Sequence, residues 1–401
     1  MVKAENRPWT ITKNSWVSKM STVNFRGNDS PTIGVEVELG IVDEQTMELS
    51  SSIGELLSRL DLNEENQKCI KPELMQCVLE VNTEVCTTVA DADESLRRHL
   101  TTVESMTDQM GLRLWWGATH PFSRWQDQKV TLDERYDRLV DLLQDMARRL
   151  VTFGLHVHVG VDSGDKAVMI CDRIMRHLPT ILALSSSSPF WEQRDTGLAS
   201  YRSKIMEGLP TAGLPPLMRN WSEYVWLVNH MVDTGFINTI REIWWDVRPH
   251  HNFGTVEVRV CDMPGNLQDT LAITALIQCL VKALSDDIDQ GAYQHDCHPM
   301  LVLGNKWRAS RFGLEAILVD TYTYESFSAK QRVEQLVRRL RPVAEDLDCK
   351  NYLESCLDIA ARPNWSERQR SIFRSTGEPK EVVRQLTELS RVQSRGATTT
   401  S

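Results

Sequence analysis

The periodicities of this chain predict an α+β fold. Its short alternating segments all fall before residue 263, its later part has helical spacing, and strands and helices do not alternate as βαβ units would.

The strands are expected at 33–41 (IGVEVELGI), 76–85 (QCVLEVNTEV), 112–117 (LRLWWG), 153–161 (FGLHVHVGV) and 254–262 (GTVEVRVCD), short runs that alternate or stay apolar. Between them, 91–110 places Leu96, Leu100, Val103, Met106 and Met110 at helical spacing, with Gly111 as the stop. The stretch 131–151 repeats the pattern with Leu132, Tyr136, Leu139, Leu143, Met146 and Leu150, so both read as amphipathic helices lying on a sheet. Gly160 to Lys166 follows a strand and precedes a helix, but its glycine spacing and the Asp before Lys fail the P-loop pattern, leaving a turn and helix cap. No GxGxxG follows a strand either. After Pro264-Gly265-Asn266, 267–285 is apolar almost all round, as a capped and buried helix would be. Further helices are expected near 328–347, 350–361 and 378–392.

The interior has no Pro/Gly/Ser-rich linker, so residues 33–393 are expected to form a single catalytic domain after an N-terminal extension, 1–32. The Ser/Thr-rich end, 394–401, is expected to be a disordered tail. A net charge of -10 with no Lys/Arg block argues against nucleic acid or an anionic membrane as a partner. With no signal-like start and no long apolar run, the cytoplasm is the expected compartment. The nine cysteines form no CxxC pair and read as reduced, buried thiols. The run His295-Asp296-Cys297-His298 lacks zinc-ligand spacing.

Chemistry concentrates on the strands. Residues two apart share a strand face, so Glu36 and Glu38 point together, as do His156 with His158 and Glu257 with Arg259. One such pair is the ordinary solvated face of an antiparallel strand; three of them, built from groups that bind divalent metal and phosphate, point to a site. Two carboxylates about 4 Å apart repel by roughly 4 kcal/mol at an effective dielectric near 20, so converging carboxylates need a cation. Oxygen-rich ligation with little imidazole suits Mg²⁺, with Mn²⁺ as the alternative, and Mg²⁺ bound this way shares its shell with nucleotide phosphate.

The blocks GVEVELGIVD (34–43), LEVNT (79–83), GATHPFSRW (117–125), GLHVHVGV (154–161), DTGLASYR (195–202), WWDVRPHHNFGTVEVRVCDMPG (244–265) and NKWRASRFG (305–313) together resemble the bacterial carboxylate–amine ligase family known as glutamate–cysteine ligase type 2. The resemblance runs in order from about residue 33 to 375. It implies a catalytic sheet like that of glutamine synthetase, curved, antiparallel and covered by helices. It also implies that Glu36, Glu38, Glu80, His156 and Glu257 ligate metal, while Arg202, Arg248 and Arg259 face phosphate and substrate carboxylates. Glu73 is a further metal candidate, although its odd spacing from Glu80 requires a bulge or turn to bring both to one site. His158, His120 and Arg308 are candidates for substrate or nucleotide binding. Where the family carries a Gly-rich run before a QR pair, this chain has Pro363 to Arg370 (PNWSERQR), which bears on the amine substrate.

The function implied is joining of glutamate to cysteine with ATP through γ-glutamyl phosphate, as in glutathione biosynthesis. Another acid or amine, a guanidino kinase-like phosphotransferase and a non-catalytic sensor of ATP or amino acids are the rival readings. A homo-oligomer is compatible with all of them.

Overall fold

The computed structural model describes residues 23–60, 63–64, 66–292 and 297–392. Residues 1–22 of the N-terminal extension, His295 and Asp296 of the histidine-rich run, and the tail 394–401 lie outside the described residues.

Seven strands form one sheet: β1 (Ile33–Asp43), β2 (Ile70–Pro72), β3 (Val78–Asn82), β4 (Leu112–Trp115), β5 (Gly154–Gly160), β6 (Val247–His250) and β7 (Thr255–Asp262). Across the sheet they run β6, β7, β5, β1, β3, β2, with β4 joined to the second half of β1, and every pairing is antiparallel. The register follows from side-chain alternation. Val35, Val37 and Leu39 are buried in the main core, whereas Glu36 and Glu38 face the other way and stay partly exposed. Slipping β1 by one residue would bury both carboxylates and expose three aliphatic side chains, each worth about 1.5–3 kcal/mol when buried.

The longer helices are α1 (Val89–Gln109), α2 (Glu134–Leu143), α3 (Gly164–Ile174), α4 (Leu178–Ser185), α5 (Arg202–Met206, one short turn), α6 (Trp221–Asp233), α7 (Leu267–Asp289), α8 (Pro299–Phe312), α9 (Ala329–Asp346), α10 (Lys350–Ala361), α11 (Trp365–Thr376) and α12 (Pro379–Leu389). The apolar helix α7 is capped by Asn266, whose side chain accepts from Asp269 N at 2.8 Å, and it packs among α1, α3, α9, α10 and β5. The 131–151 segment departs from expectation. Asp133 accepts from Arg135 N at 2.7 Å and starts α2 only after Leu132, which is exposed; Gln144, at φ +51°, then ends it ahead of a one-turn helix. The apolar spacing there was broader than the helix it marks. The expected strand 76–85 shortens to β3: Thr83 N still donates to Val35 O at 2.9 Å, but Val35 N turns to the Thr83 hydroxyl, at 3.1 Å, in place of a backbone carbonyl.

All nine cysteines are buried, and none is in a disulfide. No helix among the described residues is long and apolar enough to cross a membrane.

Candidate active site

The polar face of the sheet is assembled by cross-strand register. Glu36 lies opposite His156 of β5 and Asn82 of β3, Glu38 opposite Glu80, Glu80 opposite Lys71, and Glu257 opposite both His158 and Arg248. Directly opposed residues in antiparallel strands project to the same side. These side chains therefore converge, and all of them except Asn82 line a cleft of about 500 Å³ that also takes in Glu73, Tyr136, Arg202, Trp244 and Arg259.

Glu257 is the hub, 1% exposed. Its carboxylate accepts from Arg248 Nε at 2.7 Å and Arg248 Nη2 at 3.2 Å, and also from Arg259 Nη1. Burial works to raise its pKa, yet Arg248, Arg259 and His158 hold it well below the usual carboxylate range. Burial opposes charge on Arg259 as well, but Glu257 keeps its pKa above the ordinary value.

The histidines bridge the carboxylates. His156 Nδ1 is 3.1 Å from Glu36 Oε2, and His158 Nε2 is 3.4 Å from Glu36 Oε1 and 3.9 Å from Glu257 Oε1. His158 Nδ1 meets the Thr255 hydroxyl at 3.0 Å. Burial disfavours the imidazolium of His158, but Glu257 and Glu36 outweigh it and raise its pKa. Burial likewise opposes the charge on Glu36, and the hydrogen bonds from His156 and His158 overcome it, leaving the carboxyl well below its usual range.

At the other end of the cleft the balance reverses. Glu73 is pushed well above the ordinary carboxylate value by burial and then by Glu80 and Glu38, and Glu80 is raised by burial and by Glu36. The turn between β2 and β3 brings Glu73 back beside Glu80, which is how residues of odd spacing reach one site. Asn82 donates to Glu80 at 2.7 Å, and Lys71 Nζ stands 3.8 Å from it.

This donor set suits a divalent cation. One ligand atom each from Glu36, His156 and Glu257 lie within 4.8 Å of one another. The buried Nε2 atom of His156 has no hydrogen-bond partner among the described residues. Carboxyls raised by one another's charge are relieved by a metal.

A β-bulge places the arginines. Val258 pairs with Val157 and Cys261 with Leu155, so Arg259 and Val260 together oppose His156. Asp262 then arrives fully buried and accepts from Ser187 N (3.0 Å), Ser188 Oγ (2.7 Å) and Ser200 Oγ (2.8 Å). Ser188 Oγ also accepts from Arg202 N at 3.1 Å, and the Arg202 guanidinium, buried, donates to Cys261 O at 2.9 Å. The group lies so close over Gly154 that a Cβ there would sit 2.2 Å from Arg202 Nη2. At the β6–β7 turn Gly254 is at φ +63°, and a Cβ would meet Arg26 O at 1.6 Å.

Ten of the twelve predicted residues thus line the cleft: Glu36, Glu38, Glu73, Glu80, His156, His158, Arg202, Arg248, Glu257 and Arg259. The structure places the other two elsewhere. His120 is buried with Nε2 3.0 Å from Met47 O and Nδ1 accepting from Ser123 N at 3.0 Å, and burial pushes its pKa down to about 3; it ties loops together as a neutral ring. Arg308 is exposed and donates to Ile317 O at 3.0 Å. The buried cation of its block is Lys306, 1% exposed, whose Nζ is 2.6 Å from Asp246 Oδ2 and 2.9 Å from Glu207. Asp246 O in turn accepts from Arg259 N at 2.8 Å, so Lys306 steadies the chain beneath that arginine. The divergent 363–370 segment also lies away from the cleft: Asn364 and Gln369 donate to Ser186 Oγ and Ser187 O, and Trp365 Nε1 donates to Asp269. Lys71 and Tyr136, which line the cleft, were missed, as was Asn82, which donates to Glu80 and shares a face with it in LEVNT by the same two-residue rule. Both members of Trp115-Trp116 are buried, while Trp244 reaches the cleft.

A model of glutamate-cysteine ligase family 2 matches residues 32–388. A proposed glutamate–cysteine ligase 2 from Gloeobacter violaceus is 41% identical over 352 residues, covering 88% of this chain and 95% of that one. A protein of the same proposed activity from Rubrobacter xylanophilus is 41% identical over 369 residues, 91% of this chain and 96% of the other. Among solved structures, the glutamate–cysteine ligase of Francisella tularensis, determined in complex with AMP, matches with a TM-score of 0.67 over 92% of this chain and 90% of that one, at 13% identity. A bifunctional glutathione synthetase from Pasteurella multocida gives 0.66 over 90% of this chain at 14% identity, and the match spans 52% of that longer protein. At such identities these two structures speak to the fold alone.

Proposed function

The chain belongs to glutamate-cysteine ligase family 2, and from that premise we propose that it is an ATP- and Mg²⁺-dependent carboxylate–amine ligase acting on glutamate and cysteine. The observation that carries this reading is the convergence of Glu36, Glu38, Glu73, Glu80 and Glu257 with Arg202, Arg248 and Arg259 in one cleft. Such a set binds substrates that are themselves anionic only with a cation between them. Mg²⁺ or Mn²⁺, held by Glu36, Glu38, Glu80, His156, Glu257 and Glu73, would neutralise the nucleotide phosphates beside these carboxylates.

In the proposed reaction an oxygen of the glutamate γ-carboxylate attacks the γ-phosphorus of ATP, giving γ-glutamyl phosphate and ADP. The α-amino group of cysteine then attacks the acyl carbon, the carbon–oxygen bond to phosphate breaks, and γ-glutamylcysteine and inorganic phosphate leave. Arg259 and Arg248 stabilise charge spreading over the transferring group, already oriented by Glu257. Arg202, held by Ser188 and the Cys261 carbonyl, presents a guanidinium to a substrate carboxylate. His158 keeps Glu36 and Glu257 aligned.

The test is an isotope experiment. With glutamate labelled by ¹⁸O in its γ-carboxylate, one labelled oxygen should pass into inorganic phosphate as the amide forms. Label in AMP with release of pyrophosphate, or unlabelled phosphate despite amide formation, would refute the acyl-phosphate route. Phosphorylated product formed without any amine would point to a phosphotransferase instead.

A further inference from the structure

A second, smaller cavity of about 140 Å³ lies between the turn Met175–His177 that joins α3 to α4, the strand Ile317–Val319 with the loop after it, and α9. Its described lining has no residue in common with that of the cleft. At about 30 Å³ per water it has room for roughly four or five waters, or for one small polyatomic ion.

Three guanidinium groups, of Arg176, Arg332 and Arg339, line it against a single carboxylate, Asp320. Arg332 and Arg339 are held in place by neighbouring side chains. Arg332 donates to Asp320 and to Gln335 Oε1 (2.9 Å) and lies 4.4 Å over the Phe327 ring, while Arg339 donates to Asp287 Oδ2 at 3.0 Å. The floor is fixed by Asn305, which donates to Val319 O at 2.7 Å and accepts from Val319 N at 2.8 Å. His177 completes the lining, and its buried Nε2 has no hydrogen-bond partner among the described residues. Burial, and after it Arg176, Arg339 and Arg332, press the His177 pKa down to about 3. At neutral pH the ring is uncharged, so its Nε2 can still offer a hydrogen to an oxyanion. Forked guanidinium donors around a space of this size are matched by a tetrahedral oxyanion.

We propose that this cavity is a second ligand site, separate from the catalytic cleft, that binds a phosphate group, either free or as a phosphomonoester. The proposal does not depend on the ligase reading, because none of its residues is used in the cleft.

The test uses the full chain without divalent cation, in a phosphate-free buffer at constant ionic strength. Inorganic phosphate and glycerol phosphate are each titrated calorimetrically, while the imidazole resonances are followed by ¹H–¹⁵N correlation. Saturable binding that moves the His177 resonances is expected, weakened at least about tenfold in Arg176→Gln/Arg339→Gln; the tighter of the two probes identifies the source as free phosphate or ester. The resonance readout in the unaltered protein needs no variant to fold. Movement of His156 and His158 alone would place the ion in the cleft and overturn the proposal, as would the absence of saturable binding by either probe.

Discussion

Glu257→Gln is the sharpest perturbation of the cleft. The wild-type carboxylate accepts two hydrogen bonds from Arg248, at 2.7 and 3.2 Å, and one from Arg259, all inside a site where Glu257 is 1% exposed. A hydrogen bond to a charged group contributes about 1.5–3 kcal/mol and a neutral one about 0.5–1.5, so weakening these contacts costs roughly 1 kcal/mol each. The amide nitrogen also replaces one acceptor with a donor that faces a guanidinium. The sum, about 3 kcal/mol, sits at the low end of the 3–5 kcal/mol typical for removing one member of a buried ion pair. Domains are commonly stable by about 5–15 kcal/mol, so the variant should fold, with a melting temperature lowered by several degrees. Turnover should suffer more, because Arg248 and Arg259 lose the group that aims them, and loss of one preorganised electrostatic element costs about 10²–10³ in kcat. The assay is ADP release with glutamate, cysteine and Mg²⁺, alongside thermal unfolding by circular dichroism. A folded variant whose kcat stays within about threefold of wild type would remove Glu257 from the catalytic machinery.

Arg259→Lys should lower kcat at least about tenfold in the same assay, since a point charge cannot reproduce a forked contact; wild-type kinetics would reduce Arg259 to a structural partner of Glu257. Mg²⁺ should raise the melting temperature more at pH 8.5 than at pH 6.5. The pKa values of Glu73, Glu80 and His158 are raised in the fold, so the stability they lend the metal-free protein is present at low pH and drains away as pH rises through those values, while the metal competes with the same protons. Calorimetry in buffers of different ionisation enthalpy should accordingly detect proton release on Mg²⁺ binding, and pH-independent binding would contradict the assignment of these groups. His120→Gln should lower the melting temperature by a few degrees while leaving kcat/KM within about threefold, because the ring serves loop backbone and not the cleft; a hundredfold loss of activity at unchanged stability would reverse that placement.

Much of the polar face of the cleft was legible in the chain before folding. Strand side chains alternate, so GVEVEL, LHVHV and VEVRV each committed two charged groups to one side whatever the sheet order. Local chemistry likewise announced α7, where Asn266 precedes an apolar run and duly caps it. What alternation could not supply was which strands are neighbours. That β1 lies between β5 and β3 sets Glu36 against His156 and Asn82 at once, and it depends on pairings between residues far apart in sequence. Only the folded chain could show that a turn returns Glu73 to Glu80, that a bulge lets Arg259 share His156 with Val260, and that Lys306 rather than Arg308 supports the site. His120 and the 363–370 segment could not be placed from sequence for the same reason: a polar residue in a loop has the same appearance in sequence whether it binds a ligand or holds backbone. Period two within a strand is a property of local covalent geometry, and so the sequence alone determined which charges travel together. Where they arrive is decided by long-range packing and register, and so belongs to the tertiary structure.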